Sequence, residues 1–185
     1  MTPDPQAASA GASPVPRWAP EFAFPPYTYV PGRAPHPVSD PAGHMYGEHA
    51  EPAELLVDDW PSCRAYLRGI DLFNHGYYWE AHEVWESLWH AAGRTGPTAD
   101  FLKGLIKLSA AGVKTLEGSP TGRARHARRA AELLRRAAIG LNVDEQGRFM
   151  GLLLLDLAQI AEDSAHASRP RQHNNMKFNV IIKPA

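Results

Sequence analysis

The chain has 185 residues, 44% hydrophobic and 21% charged, with a net charge of −1. That length supports one domain with a real core, and the near-neutral balance excludes a global field drawing the protein onto nucleic acid or anionic membrane. A single cysteine, Cys63, excludes an internal disulfide framework and a Cys-rich zinc module. No stretch approaches the ~20 apolar residues of a membrane span. Residues 1–16 carry neither the basic residue nor the apolar stretch of a secretory signal. The expectation is a soluble cytoplasmic protein with no membrane and no nucleic-acid partner; a homo-oligomer is left open.

Proline divides the chain. Twelve of the 17 prolines stand in residues 1–57, which excludes long helices there. Residues 1–57 also hold two arginines against six acids, while 58–185 hold 17 basic residues against 14 acidic ones. Residues 1–16, made mostly of Pro, Ala, Ser and Gly, read as a disordered N-terminus. Residues 17–57 carry Trp18, Phe22, Phe24, Tyr27, Tyr29 and Tyr46, too many aromatics for an idle linker. They are expected to form an extended arm packed on the body.

Residues 58–168 read as a helical body. Asp58 or Asp59 can cap a first helix with Trp60-Pro61 in its first turn, ending near Asn74 before Gly76. A second helix is expected from about Tyr77 to Ala92, and a third from Thr95 or Thr98 to Glu117. The fourth covers Thr121 to Gly140, with Ala124, Ala127, Ala131, Leu134, Ala138 and Leu141 on one face. The fifth covers Asp144 to His166, in spite of Gly147 and Gly151. In the tail, 169–185, the run Met176–Lys183 alternates weakly and suits one short strand. The fold class is therefore all-α, a bundle of about five helices with a proline-rich arm.

The densest chemistry lies on the second helix. At ~100° per residue with His82 at zero, Glu86 falls at ~+40°, Trp89 at ~−20°, Tyr78 at ~−40°, Trp85 at ~−60° and Trp79 at ~+60°. His82 and Glu86 thus lie within the aromatic arc and Glu83 at its edge, while Glu80 and Ser87 point away. An imidazole and a carboxylate on a buried face require partners. One candidate is a metal, since His82-Glu83-Val84-Trp85-Glu86 places His82 and Glu86 one turn apart. In H-E-x-x-H zinc peptidases both His bind the ion and the Glu is the base. With Glu86 in place of the second His that motif is not met, but a mixed His/carboxylate site suits zinc, manganese or iron. Glu83 is then the candidate catalytic base. The other candidate is the lysine stripe of the third helix, Lys103, Lys107 and Lys114, which could pair with the glutamates or hold an anionic ligand. A His–Glu pair at i,i+4 is also an ordinary structural contact. The three tryptophans read as core.

The segment Phe73-Asn74-x-Gly76-x-Tyr78-Trp79-Glu80-Ala81-His82-Glu83-x-x-Glu86-x-x-Trp89, followed by Phe101-Leu-Lys-Gly104-Leu105-Ile106, resembles the domain of unknown function 309 family over about residues 66–140. The resemblance implies a compact helical bundle and a label of metal-dependent hydrolase. It points to Asn74, Glu80, His82, Glu83 and Glu86. The chain departs at Lys103 and Lys107, where many relatives carry Gln.

The arm adds Pro35-His36-Pro37, Asp40 and His44 on a rigid, turn-rich segment. Docked beside the second helix, His36, Asp40 and His44 would complete a metal site with His82 and Glu86, and Asn74, Tyr78, Glu80, Lys103 and Lys107 would line it. The remaining histidines, His126 among them, read as loop or surface residues. The six arginines of the fourth helix read as a solvated face. Two functions follow as expectations. One is a metal-dependent hydrolase acting on a small molecule. The other is a binding or scaffold protein in which the His/Glu/Lys network only ties helices together.

Overall fold

A computed structural model describes residues 15–48, 53–166, 178 and 180–185. Most of the expected disordered N-terminus, 1–14, lies outside the described residues, as do 167–177 and 179 of the tail. Five helices form the body: α1 (Arg64–Asn74), α2 (Tyr78–Ala91), α3 (Pro97–Leu116), α4 (Pro120–Gly140) and α5 (Leu154–His166). Successive helices pack on one another in chain order, as short connections favour. The bundle is all-α apart from a two-residue-per-strand hairpin, β1 (Arg148–Phe149) and β2 (Leu152–Leu153), paired antiparallel. Among the described residues no helix is long and apolar enough to cross a membrane.

Local chemistry sets the helix ends. α3 and α4 each begin with proline, whose fixed φ suits the first turn and whose missing N–H costs nothing there. The Ser119 hydroxyl accepts from the Gly122 N–H and caps α4. Two expected starts move. The first helix begins at Arg64, because Trp60–Ser62 forms a separate 3-10 turn and Asp59 makes no side-chain cap. The fifth begins at Leu154 and not at Asp144. Gly147, Met150 and Gly151 all have φ between 47° and 79°, a conformation that breaks the helix and turns the chain into the hairpin.

Trp85, Tyr66, Phe73 and Phe101 are the largest fully buried side chains, and leucines and alanines from all five helices surround them. Two glycines let the helices approach. A Cβ on Gly69 would strike the Trp85 indole, and one on Gly112 would strike the Tyr78 ring. The described tail crosses this core with Phe178, Val180 and Ile182 buried and Ile181 and Lys183 exposed. The alternation expected there is present, but these residues form no sheet. Ile182 pairs instead with the side chain of Asn74, which donates to its carbonyl at 2.7 Å and accepts from its N–H at 2.8 Å. One amide thus does the work of a neighbouring strand.

Candidate functional site

Two buried carboxylates bind the arm to the body. Asp71, on α1, accepts from the backbone N–H of Trp18 at 2.8 Å and of Ala19 at 2.9 Å, with the Arg17 guanidinium 3.4 Å away. Glu80, on α2, accepts from the Tyr29 N–H at 2.8 Å and the Thr28 hydroxyl at 3.0 Å, and His44 Nε2 lies 3.4 Å from it. Glu80 is only 3% exposed, although the helical-wheel reading turned it outward. The reason lies in Trp79 and Trp89, which that reading counted as core. Trp79 packs against Tyr29 and His36 of the arm, and Trp89 lies under the Lys103 ammonium. The inward face of α2 is instead Tyr78, Ala81, Trp85 and Leu88, and the arm covers the flank that carries Glu80.

His82, Glu83 and Glu86 are consequently half-buried at the surface of α2, and one ligand atom from each lies within 4.8 Å of the other two. His82 Nε2 is 3.6 Å from one oxygen of Glu86, and Lys103 Nζ is 3.6 Å from the other. Burial lowers the His82 pKa; Glu86 opposes that shift, while Lys103 and Lys107 add to it, so the imidazole favours its neutral form. Burial, reinforced by the charges of Glu86 and Glu80, raises Glu83 to about 7. Glu83 makes no hydrogen bond or ion pair among the described residues.

The other expected site residues take separate places. Asp40 accepts from the Ala42 N–H and shapes its own loop, and His36 Nδ1 accepts weakly from the N–H groups of Val38 and Ser39. His44 faces Glu80 and stacks edge-on against Tyr27. Neither they nor Asp40 join the His82 group among the described residues. Asn74 is spent on the tail, and the Tyr78 hydroxyl donates to the Phe178 carbonyl at 3.4 Å, its pKa pushed up to about 12 by burial. Lys103 does reach Glu86, as the stripe implied, and Lys107 lies one turn further along α3.

One participant escaped the sequence reading. His126, on α4, is half-buried and interacts with His82, Lys107, Lys114 and Arg125. Nothing local marks it, since only the α3–α4 packing brings it to Lys107.

The sequence profile of a family described as Domain of unknown function (DUF309) matches residues 66–126. The likeness to DUF309 is that of this segment. It runs from Tyr66 in α1 to His126 in α4, so it holds His82, Glu83, Glu86, Lys103, Lys107 and His126 together. The DUF309 match ends at His126, short of the residue 140 expected from the resemblance. A search of curated proteins finds none that matches the chain.

Proposed function

We propose that the DUF309-like segment binds a divalent metal at His82 and Glu86 and uses Glu83 as a general base in hydrolysis of a small substrate. The observation that supports this reading is the convergence of three ligand atoms within 4.8 Å. The donor set fits such an ion. A neutral imidazole and carboxylate oxygens suit zinc, manganese or iron, and one oxygen of Glu86 faces His82 while Lys103 engages the other. A bound ion would supply Lewis-acid polarisation of a substrate oxygen. Glu83, titrating near neutrality, is suited to accept a proton from an attacking water and release it again. The arm, fixed at Glu80 three residues away, would limit access of bulk water to that side of α2.

Isothermal titration of the full chain with zinc and manganese tests this. One equivalent is expected for the wild type and none for His82→Ala or Glu86→Gln. Substoichiometric metal that His82→Ala leaves unchanged would refute it.

A second reading has its own support. Asp71, Asn74 and Glu80 each bind a distant chain segment, so the polar side chains of α1 and α2 can be wholly architectural. In that case His82→Ala and Glu86→Gln lower stability without altering any ligand affinity.

A further inference from the structure

We propose that the cavity between the hairpin, α5 and the tail is the two-fold interface of a homodimer. The proposal is independent of the metal-site reading and shares no residue with it.

The backbone dictates what this face presents. In the hairpin Leu152 is buried, so Leu153, its neighbour in an extended strand, points outward. The tail repeats the pattern, with Val180 and Ile182 buried and Ile181 and Lys183 outside. Asn74 fixes Ile182, and the Ala185 N–H donates to the Gly151 carbonyl at 3.0 Å, so the tail is held against the hairpin. Beside them lies a cavity of about 220 Å³, to which α5 contributes Asp156, Leu157 and Ile160. Leu153, Ile160 and Ile181 line it and are 37–40% exposed. Seven large apolar side chains are exposed among the described residues, and these three converge on one place from three separate elements. Exposed aliphatic residues scattered singly need no explanation, whereas a contiguous apolar patch marks a contact surface.

Size and charge decide what covers it. With its rim exposed and a volume of about 220 Å³, the cavity falls short of the ~300–1,000 Å³ that enclose a small ligand. It suits side chains presented by another protein surface. Arg148, Lys183 and Asp156 line the same cavity, and none of the three makes an ion pair among the described residues. Two cations and an anion around one apolar patch make that patch complementary to itself. A two-fold axis sets Asp156 of each copy against a cation of the other, and covers the three aliphatic side chains in both. A wholly acidic or wholly basic partner would leave one sign facing its like.

Sedimentation velocity of the full chain over about 1–200 μM should show a reversible dimer, the affinity of a contact at the small end of specific interfaces. Ile160→Glu should weaken it about a hundredfold or more, because the two-fold brings the new charge into the interface twice. Val38→Glu, at an exposed aliphatic residue of the arm outside the cavity, should leave it unchanged. Both positions are exposed, and circular dichroism verifies that each variant is folded. Asp156→Lys should fail to self-associate, as should the double variant Arg148→Glu, Lys183→Glu. An equimolar mixture of these two should form a heterodimer, since every facing pair is then of opposite sign. A wild type that stays monomeric throughout would overturn the proposal. So would a dimer that Ile160→Glu leaves intact, equal weakening by Val38→Glu, or a charge-swapped mixture that does not associate. A monomer that binds a hydrophobic dye, lost in Ile160→Glu, would overturn it too, by giving the cavity to a small apolar molecule.

Discussion

Replacing Asp71 by asparagine should damage this protein nearly as much as replacing it by alanine. Both carboxylate oxygens accept from backbone N–H groups, one from Trp18 and the other from Ala19. An asparagine can offer only one acceptor oxygen, and its amino group must then face an N–H donor. Each buried donor left without a partner costs about 1–3 kcal/mol, so losing both amounts to roughly 2–6 kcal/mol of arm docking, with the partly exposed Arg17 pair adding little. A change of that size shifts the docking equilibrium by about 30- to 20,000-fold. Limited trypsin digestion reads it directly, because Arg33 lies exposed between the segments held by Glu80. Cleavage at Arg33 should accelerate in both variants while the helical body stays intact. An Asp71→Asn protein cleaved at the wild-type rate, with unchanged urea denaturation, would refute the reasoning.

The logic reverses at the other two clamps. Glu80→Gln should be clearly milder than Glu80→Ala, because the Thr28 hydroxyl can rotate to accept from the new amide while the Tyr29 N–H keeps its oxygen; the same digestion compares them. Asn74→Asp should lower stability by about 1–3 kcal/mol in urea denaturation, since it sets a carboxylate oxygen against the Ile182 carbonyl. At Glu83 the folded carboxyl titrates at about 7 against the usual 4.5. The folded state therefore holds a proton that the unfolded chain has released, and this stabilisation is complete below the unfolded pKa and lost as pH rises through 7. Glu83→Gln should consequently gain on the wild type as pH rises from about 5 to 8, by about 1–2 kcal/mol after allowance for partial exposure, measured without metal. Saturating metal should stabilise the wild type by about 2–3 kcal/mol at a hundredfold excess over the dissociation constant, and His82→Ala should abolish that gain in a thermal melt.

Helix existence was legible because it depends on short-range periodicity and punctuation. The prolines at 97 and 120 and the apolar spacing of α3 and α4 declare themselves within one or two turns. The His82, Glu83, Glu86 grouping was legible for the same reason, since Glu86 follows His82 by four residues and Glu83 by three, spacings at which helical side chains are neighbours whatever packs around them. Which side of α2 faces inward was not legible. Its aromatic residues span most of the wheel, and only the arm and Lys103 decide that Trp79 and Trp89 are covered from outside the core. Asp71, Asn74 and Glu80 illustrate the same division: each is one polar residue on an otherwise apolar flank. Its acid or amide identity has meaning only against backbone donors and acceptors about fifty to a hundred residues away in the chain. His126 is the clearest case. From sequence it belongs to an arginine-rich surface, and it becomes part of the candidate site solely because α4 packs along α3 and carries it to Lys107. Local pattern determines which helices form and which side chains share a turn, because those interactions act within a few residues. Pairing between distant segments depends on how the helices pack, and that only the folded chain decides.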